Sequence, residues 1–132
     1  MEHKLFLDGT KDKISWIVQT GNQISKEFRV HPPAYNSGYK LDVKNDEQSK
    51  FIALHAGIYW SVGVYIIKDG DTVNVMCDSK KMYDILSSKH KISDQIINDK
   101  IHFINLFIEQ RKLVVNYHLI DSEKNLAAEL IR

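Results

Sequence analysis

Two carboxylates stand at equivalent positions in this chain, each at the end of a short and largely apolar run. Asp8 follows residues 5–7 and precedes Gly9, and Asp78 follows residues 73–77. An acid at the end of a buried strand costs free energy unless another group balances its charge. A turn is the simpler interpretation of Asp8-Gly9 alone. The second copy of the pattern instead predicts that both carboxylates share one cation site, with Gly9 leaving room for close approach.

The composition indicates one domain, residues 1–132, with enough apolar side chains for a single core. Its 18 basic and 17 acidic residues nearly balance, so net charge neither supports nor excludes a polyanionic partner. Cys77 is the lone cysteine, which excludes an internal disulfide and indicates a reducing compartment. We expect no signal peptide, because the first apolar run is too short for one, and no apolar run is long enough to span a bilayer. The sequence therefore predicts a cytoplasmic protein with no membrane contact.

Hydrophobic periodicity and turn residues predict the strands that position the two acids. Three antiparallel strands come first, with a Gly-Asn hairpin turn at residues 21–22 and a stop at His-Pro-Pro, residues 31–33. A long irregular connection follows over residues 34–44. The strand that leads to Asp78 is apolar enough to lie inside the sheet. The expected strands cover residues 5–8, 14–20, 24–30, 73–77 and 113–120.

Four helices are predicted between and after the later strands. The third is expected to bury Ile96, Ile97, Ile101, Ile104, Leu106, Phe107 and Ile108. The fourth runs from residue 123 to the terminus, with Leu126, Ala127, Leu130 and Ile131 inward. The expected caps are Asn45 or Asp46, Asp78 or Ser79, Ser93, and Asp121 or Ser122. This order predicts an α/β fold: a mixed five-stranded sheet, three antiparallel strands and then two parallel ones, flanked by helices.

The ordered set of motifs resembles the ribonuclease H family over nearly the whole chain. The family opens with apolar-Asp-Gly-Ser, continues with an apolar-Thr-Asp-Ser strand, and ends with a strand leading to a histidine and an Asn-x-x-Ala-Asp helix. The matching segments here are Leu5-Phe6-Leu7-Asp8-Gly9-Thr10, Val75-Met76-Cys77-Asp78-Ser79, Val115-Asn116-Tyr117-His118 and Asn125-Leu126-Ala127-Ala128-Glu129.

The resemblance implies hydrolysis of the RNA strand of RNA–DNA hybrids by two Mg²⁺ ions, or Mn²⁺, held by four carboxylates. Hard oxygen ligands suit magnesium, and a metal pair can activate water and stabilise the leaving oxygen. Asp8 would bridge both ions and Asp78 would bind one. Glu129 would be the fourth acid, and His118 matches the family's mobile histidine.

The second acid is where the sequence departs from the family. Lys50 stands at that position, and a lysine would repel a metal. Glu47 lies one turn earlier on roughly the same helix face and is the candidate replacement. It is equally well explained as a first-turn acid that the helix dipole favours.

Contacts with nucleic acid are implied at two places. Polar residues at the entry of the first helix correspond to the family's minor-groove readers, although Asp46 and Glu47 would repel a phosphate backbone. Lysines near the second helix could meet phosphates, as could Lys89, His90 and Lys91. The candidate contact residues are Gly9, Thr10, Asn45, Gln48, Ser79, Lys80 and Lys81.

Two rival functions remain open. In the first, the domain is catalytically degenerate and binds nucleic acid or protein, with Lys50 replacing the metals through a salt bridge to Asp8 or Asp78. In the second, the nuclease is intact but cuts branched DNA, since resolvases share the fold and the acid cluster.

Overall fold

A computed structural model of the chain describes residues 1–31, 43–88 and 92–131, in which five strands form one mixed sheet. The strand order is β3-β2-β1-β4-β5; β1, β2 and β3 pair antiparallel, and β4 pairs parallel with both β1 and β5. The predicted fold class is confirmed, and so is the interior position of β4. The strands are β1 Glu2–Gly9, β2 Lys13–Thr20, β3 Gln23–Val30, β4 Thr72–Cys77 and β5 Val114–Leu119.

Three α-helices cover one face of the sheet: α1 Asp46–Gly63, α2 Lys80–Ser88 and α3 Gln95–Arg111. The main core lies between α1 and the sheet, where Phe51 and Leu54 meet Leu5 and Leu7 and all four are buried. Burying each such side chain stabilises the fold by about 1.5–3 kcal/mol, which fixes α1 over β1. No helix in the described part of the chain is both long enough and apolar enough to cross a bilayer.

The helix caps agree with the sequence at α1 but not at α3. Asn45 caps α1, where its side chain accepts a hydrogen bond from the Gln48 backbone N–H at 2.9 Å. The predicted Ser93 cap is wrong, because the Asp94 carboxylate accepts from the Ile97 N–H at 3.1 Å. Gln48 also donates to Asp94 at 2.8 Å, so contact with α1 fixes the carboxylate that caps α3.

The predicted C-terminal α-helix is wrong. The chain instead forms two short 3₁₀ segments, Ser122–Lys124 and Leu126–Leu130, separated by Asn125. The Asn125 side chain accepts from the Ala127 N–H at 3.1 Å and donates to the β1 carbonyl of Leu7 at 2.8 Å. These local and long-range hydrogen bonds hold Asn125 in a non-helical conformation and so interrupt a continuous α-helix.

The change of helix type also changes which side chains point inward. Ala127 joins a second apolar cluster with Phe6 and Ile17 on the sheet face opposite α1, whereas Leu126 is exposed. On α3, the buried residues are Ile97 and Ile104, and the predicted inward position of Leu106 is wrong because this side chain is exposed. Most of the predicted irregular connection, and all of the basic stretch at residues 89–91, lie outside the described residues.

Candidate functional site

The parallel pairing of β1 and β4 brings the two strand-end acids together. Phe6 lies opposite Met76, so Asp8 and Asp78, each two positions further on, reach the same edge of the sheet. Both carboxylates have little exposure: 8 % of the Asp8 side chain and 7 % of that of Asp78 are accessible. Two negative charges with so little exposure to solvent need a compensating cation or hydrogen-bond donors.

Gly9 lets α1 come close to the end of β1. A Cβ atom at this position would lie 2.6 Å from the backbone carbon of Ser49 and 2.7 Å from the backbone nitrogen of Lys50. Ser49 is fully buried below the helix; its hydroxyl donates to the Lys13 carbonyl at 3.2 Å and hydrogen-bonds the His31 ring at 2.8 Å. The glycine therefore sets the distance from the helix backbone to Asp8, as the sequence predicts.

Lys50 occupies the space between the two acids. Its Nζ lies 2.6 Å from Asp8 Oδ1 and 3.2 Å from Asp78 Oδ1. Burial alone would lower the pKa of Lys50, but the hydrogen bond and charge of Asp8, with those of Asp78, outweigh it and raise the pKa. The lysine is therefore a permanent ammonium that links both carboxylates.

Asn125 completes the hydrogen bonding of Asp78. Its amide nitrogen lies 2.9 Å from Asp78 Oδ2, the oxygen that Lys50 does not contact, and 2.8 Å from the Leu7 carbonyl. On the other acid, Asp8 Oδ1 also accepts from the Gly9 N–H at 2.9 Å. The carboxylates are thus held by donors from β1, α1 and the C-terminal segment together.

Within the described residues, the remaining predicted acids and the predicted histidine do not join this pair in a cluster that could hold a metal ion. Glu47 accepts hydrogen bonds from the Ser79 hydroxyl at 3.2 and 3.3 Å, on the α2 side of the site. Glu129 is exposed on the last 3₁₀ segment. His118 is exposed on β5, where its ring hydrogen-bonds Asn74 at 3.0 Å.

The predicted nucleic-acid contacts divide into two groups. Several are already used inside the fold: Asn45 caps α1, Gln48 is buried against Asp94, and the Ser79 hydroxyl accepts from the Met82 N–H at 3.2 Å. Gly9 is buried beneath α1, whereas the other three are accessible. Thr10 is partly exposed and accepts from the Lys13 N–H, and Lys80 and Lys81 are exposed at the start of α2.

Comparison with known proteins identifies the fold. The chain superposes on ribonuclease H1 from Halobacterium salinarum with a TM-score of 0.76 at 12 % identity, covering 99 % of this chain and 94 % of the other. The fold is that of ribonuclease H. The N-terminal ribonuclease H domain of a Mycobacterium tuberculosis protein gives the same TM-score at 14 % identity, over 98 % and 95 % of the two chains.

A third structure with the ribonuclease H fold was solved with a ligand. LC11-RNase H1 in complex with an RNA/DNA hybrid matches with a TM-score of 0.67 at 14 % identity, over 98 % of this chain and 91 % of the other. No family model matches this chain. No curated protein matches it at the level of sequence either.

The side chains present do not fit the pair of divalent cations that the ribonuclease H fold implies. Within residues 1–31, 43–88 and 92–131, no three acidic, histidine or cysteine side chains converge to hold a metal ion. The two acids that do converge already share an ammonium group at hydrogen-bond distance. A lysine nitrogen that carries its proton offers no lone pair to a metal.

Two neighbours of the acid pair, Asn125 and Ser49, are not predicted from the sequence. Asn125 belongs to a segment that resembles a family motif, but nothing there assigns it a contact, and no local pattern distinguishes Ser49. A polar residue directly before Leu-Ala-Ala is a local signal for Asn125. Its contact with Leu7 spans 118 positions, and periodicity over one helix or strand contains no information on such a contact.

Proposed function

We propose that this chain is a ribonuclease H-fold domain that binds RNA–DNA hybrids without hydrolysing them. The position of Lys50 carries the proposal, since its ammonium lies within 2.6 and 3.2 Å of the two central carboxylates. This internal cation offsets one of the two negative charges and links the two strand ends, while the neutral Gly9 N–H and Asn125 amide supply further donors.

The argument against hydrolysis is one of available ligands. A two-metal mechanism needs carboxylate oxygens that are free to bind both ions. Here Lys50 and the Gly9 N–H both bind Oδ1 of Asp8, while Lys50 and Asn125 bind the two oxygens of Asp78. A divalent ion bridging the two acids would have to displace a partly buried ammonium and then lie beside it, which like-charge repulsion opposes.

The argument for hybrid binding rests on shape and on exposed charge. A protein of the same fold was solved in complex with an RNA/DNA hybrid. A hybrid is recognised mainly through its helical shape, 2′-hydroxyls and phosphates, none of which requires a catalytic metal. Lys80 and Lys81 begin α2 directly after Ser79 and are exposed. Lys81 is available to phosphates, whereas Lys80 is paired with the exposed Asp84 and would have to exchange partners.

Metal-dependent hydrolysis is the second candidate, because Asp8 and Asp78 do meet at the strand ends with Glu47 nearby. In that function two Mg²⁺ or Mn²⁺ ions would be held by Asp8, Glu47, Asp78 and Glu129, with His118 assisting. Cleavage of branched DNA would use the same acids. A protein partner for a degenerate domain, and a cytoplasmic location, also stay predictions.

Binding is tested by fluorescence anisotropy of a labelled RNA–DNA hybrid, in EDTA and then in Mg²⁺. We expect Mg²⁺ to bring no gain in affinity, because binding needs no metal. Lys81→Glu should weaken binding and make its dependence on salt less steep, because one phosphate contact is lost. Lys68→Glu is the matched control, since Lys68 is an exposed lysine at the opposite end of the sheet. Absence of hybrid binding by folded protein would overturn the proposal.

Cleavage is tested on the same hybrid and on a four-way junction, with Mg²⁺ and then Mn²⁺. We expect no product with the natural chain. Cutting of either substrate that disappears in Asp8→Asn would instead establish the nuclease, and Glu47→Gln would then show whether Glu47 supplies a ligand. The control for folding is the thermal transition of each variant.

A further inference from the structure

One of the two outer strands of the sheet presents a row of exposed apolar side chains. This strand is β3, and β5 forms the other edge in the described part of the chain. Three apolar side chains lie at even-numbered positions of β3 and therefore point to the same face of the sheet. They are Ile24, Phe28 and Val30, which are 55 %, 52 % and 60 % exposed. An exposed, apolar edge strand is a ready template for pairing with another strand.

The backbone of β3 is also arranged for such pairing. A two-residue turn joins it to β2, with Gly21 at a φ of 57° and Thr20 opposite Gln23. Hydrogen bonds in an antiparallel pair alternate, so every second residue from Gln23 bonds β2. The N–H and C=O groups of Ile24, Lys26, Phe28 and Val30 therefore point away from β2.

We propose that two copies of this chain associate through β3, antiparallel and in register about Phe28, to form a continuous ten-stranded sheet. In this register Phe28 lies opposite Phe28 of the second copy. Glu27 lies opposite Arg29 of the second copy, twice by symmetry, and Lys26 lies opposite Val30. A two-fold interface of this kind is self-complementary.

The charged side chains of β3 favour this register and favour a second copy of the chain as the partner. Centring the pair on Lys26, Glu27 or Arg29 would place like charges directly opposite, which is unfavourable. Centring it on Phe28 places opposite charges together at two positions. Within one chain, Arg29 Nη1 lies 2.6 Å from Glu27 and donates to the Phe28 carbonyl at 2.8 Å, and its guanidinium lies 5.4 Å from the Trp16 ring centre on the same face. Pairing of two copies would exchange these two exposed hydrogen bonds for the ion pairs between copies. A strand with this alternation of Glu and Arg around an aromatic residue complements itself.

The proposal is tested by the mass of the full chain in solution, from sedimentation equilibrium over a range of concentrations. We expect a dimer whose dissociation constant rises by about tenfold or more in Glu27→Arg and in Arg29→Glu, because each reverses two attractive pairs. Phe28→Glu should weaken it as strongly. Phe103→Glu is the matched control, since Phe103 is 48 % exposed but lies on α3.

Mixing the two charge variants provides the decisive measurement. Each variant alone places like charges opposite one another, whereas a heterodimer of Glu27→Arg with Arg29→Glu restores two opposite-charge pairs. We therefore expect the equimolar mixture to associate about as tightly as the natural chain. A monomer at every concentration, a dimer that all variants retain, or a mixture that stays monomeric would each overturn the proposal. Circular dichroism of each variant verifies that it is folded.

Discussion

A lysine between two carboxylates changes what the carboxylates contribute to the protein. Without it, Asp8 and Asp78 would repel one another in a place with little water, and the folded state would need a bound cation. With it, the same acids become acceptors for an ammonium that belongs to the chain. Their oxygens then stabilise the junction of β1, β4 and α1.

Removing the ammonium should therefore be costly. We expect Lys50→Ala to lower the free energy of unfolding by about 3 kcal/mol, because it leaves buried charges unpaired. Chemical denaturation in EDTA measures this change. Lys80→Ala is the control, because its i,i+4 pair with Asp84 is exposed and screened by solvent, so its loss should leave the stability almost unchanged. If Lys50→Ala were as stable as the natural chain, the acids would not depend on the lysine for their charge balance.

At the scale of elements, the approach of α1 to β1 places Lys50 within reach of both acids. The approach depends on Gly9, beneath the backbone of Ser49 and Lys50. The Asn45 cap fixes where α1 begins, and the buried residues Phe51 and Leu54 fix its rotation over the sheet. The lysine is thus positioned by a glycine on one element and by a cap and core residues on another.

A methyl group at Gly9 should separate these elements. Gly9→Ala is expected to cost about 2–3 kcal/mol, since its Cβ would lie 2.6 Å from a backbone carbon that cannot move cheaply. Gly63→Ala is the control within α1 itself. It meets nothing within 4 Å and should be neutral or stabilising by up to about 1 kcal/mol. Equal effects of the two substitutions on urea denaturation would show that close packing at Gly9 does not matter.

The sequence predicts the elements well where one local signal dominates. Such signals are the apolar runs before Asp8 and Asp78, the alternation in β2 and β3, and the turn at residues 21–22. The order of elements then leads to the mixed sheet. Prediction from the sequence fails where contacts between residues far apart in the chain determine the local structure. Asp94 replaces Ser93 as a cap because Gln48 of α1 contacts it. The C-terminal helix is divided because Asn125 binds Leu7 and Asp78.

At the scale of the whole molecule, β1 connects two buried ionic clusters, one at each end. Asp8 and Lys50 lie at its C-terminal end; at the other end the buried His3 ring bonds Asp71 at 2.8 Å and Thr20 at 2.6 Å. Burial alone would raise the pKa of Asp71, but hydrogen bonds from His3, the Lys68 N–H and the terminal amine, together with the amine's charge, lower it to about 2.

This pKa shift predicts a loss of stability in acid. A carboxyl whose pKa falls from 3.8 to about 2 on folding stabilises the native state above pH 4, and that contribution is lost as the pH falls towards 2. We expect Asp71→Asn to melt at a lower temperature at neutral pH and to show a smaller further decrease between pH 4 and 2. Asp69→Asn, at an exposed acid, should retain the steep decrease of the natural chain. The same decrease in Asp71→Asn would assign the acid sensitivity to other carboxyls.

The hydrogen bond from the Asn125 amide to the Leu7 carbonyl affects the order in which parts of the protein fold during synthesis. It joins residues 118 positions apart, and the same amide also supplies a donor to Asp78. The β1–β3 meander pairs neighbours in sequence, so it can form early as the chain leaves the ribosome. Asp8 gains its ion pair only after α1, which carries Lys50, has been synthesised. Asp78 gains its hydrogen bond from Asn125 later still. The hydrogen bonding of the acid pair can therefore be completed only after Asn125 has been synthesised.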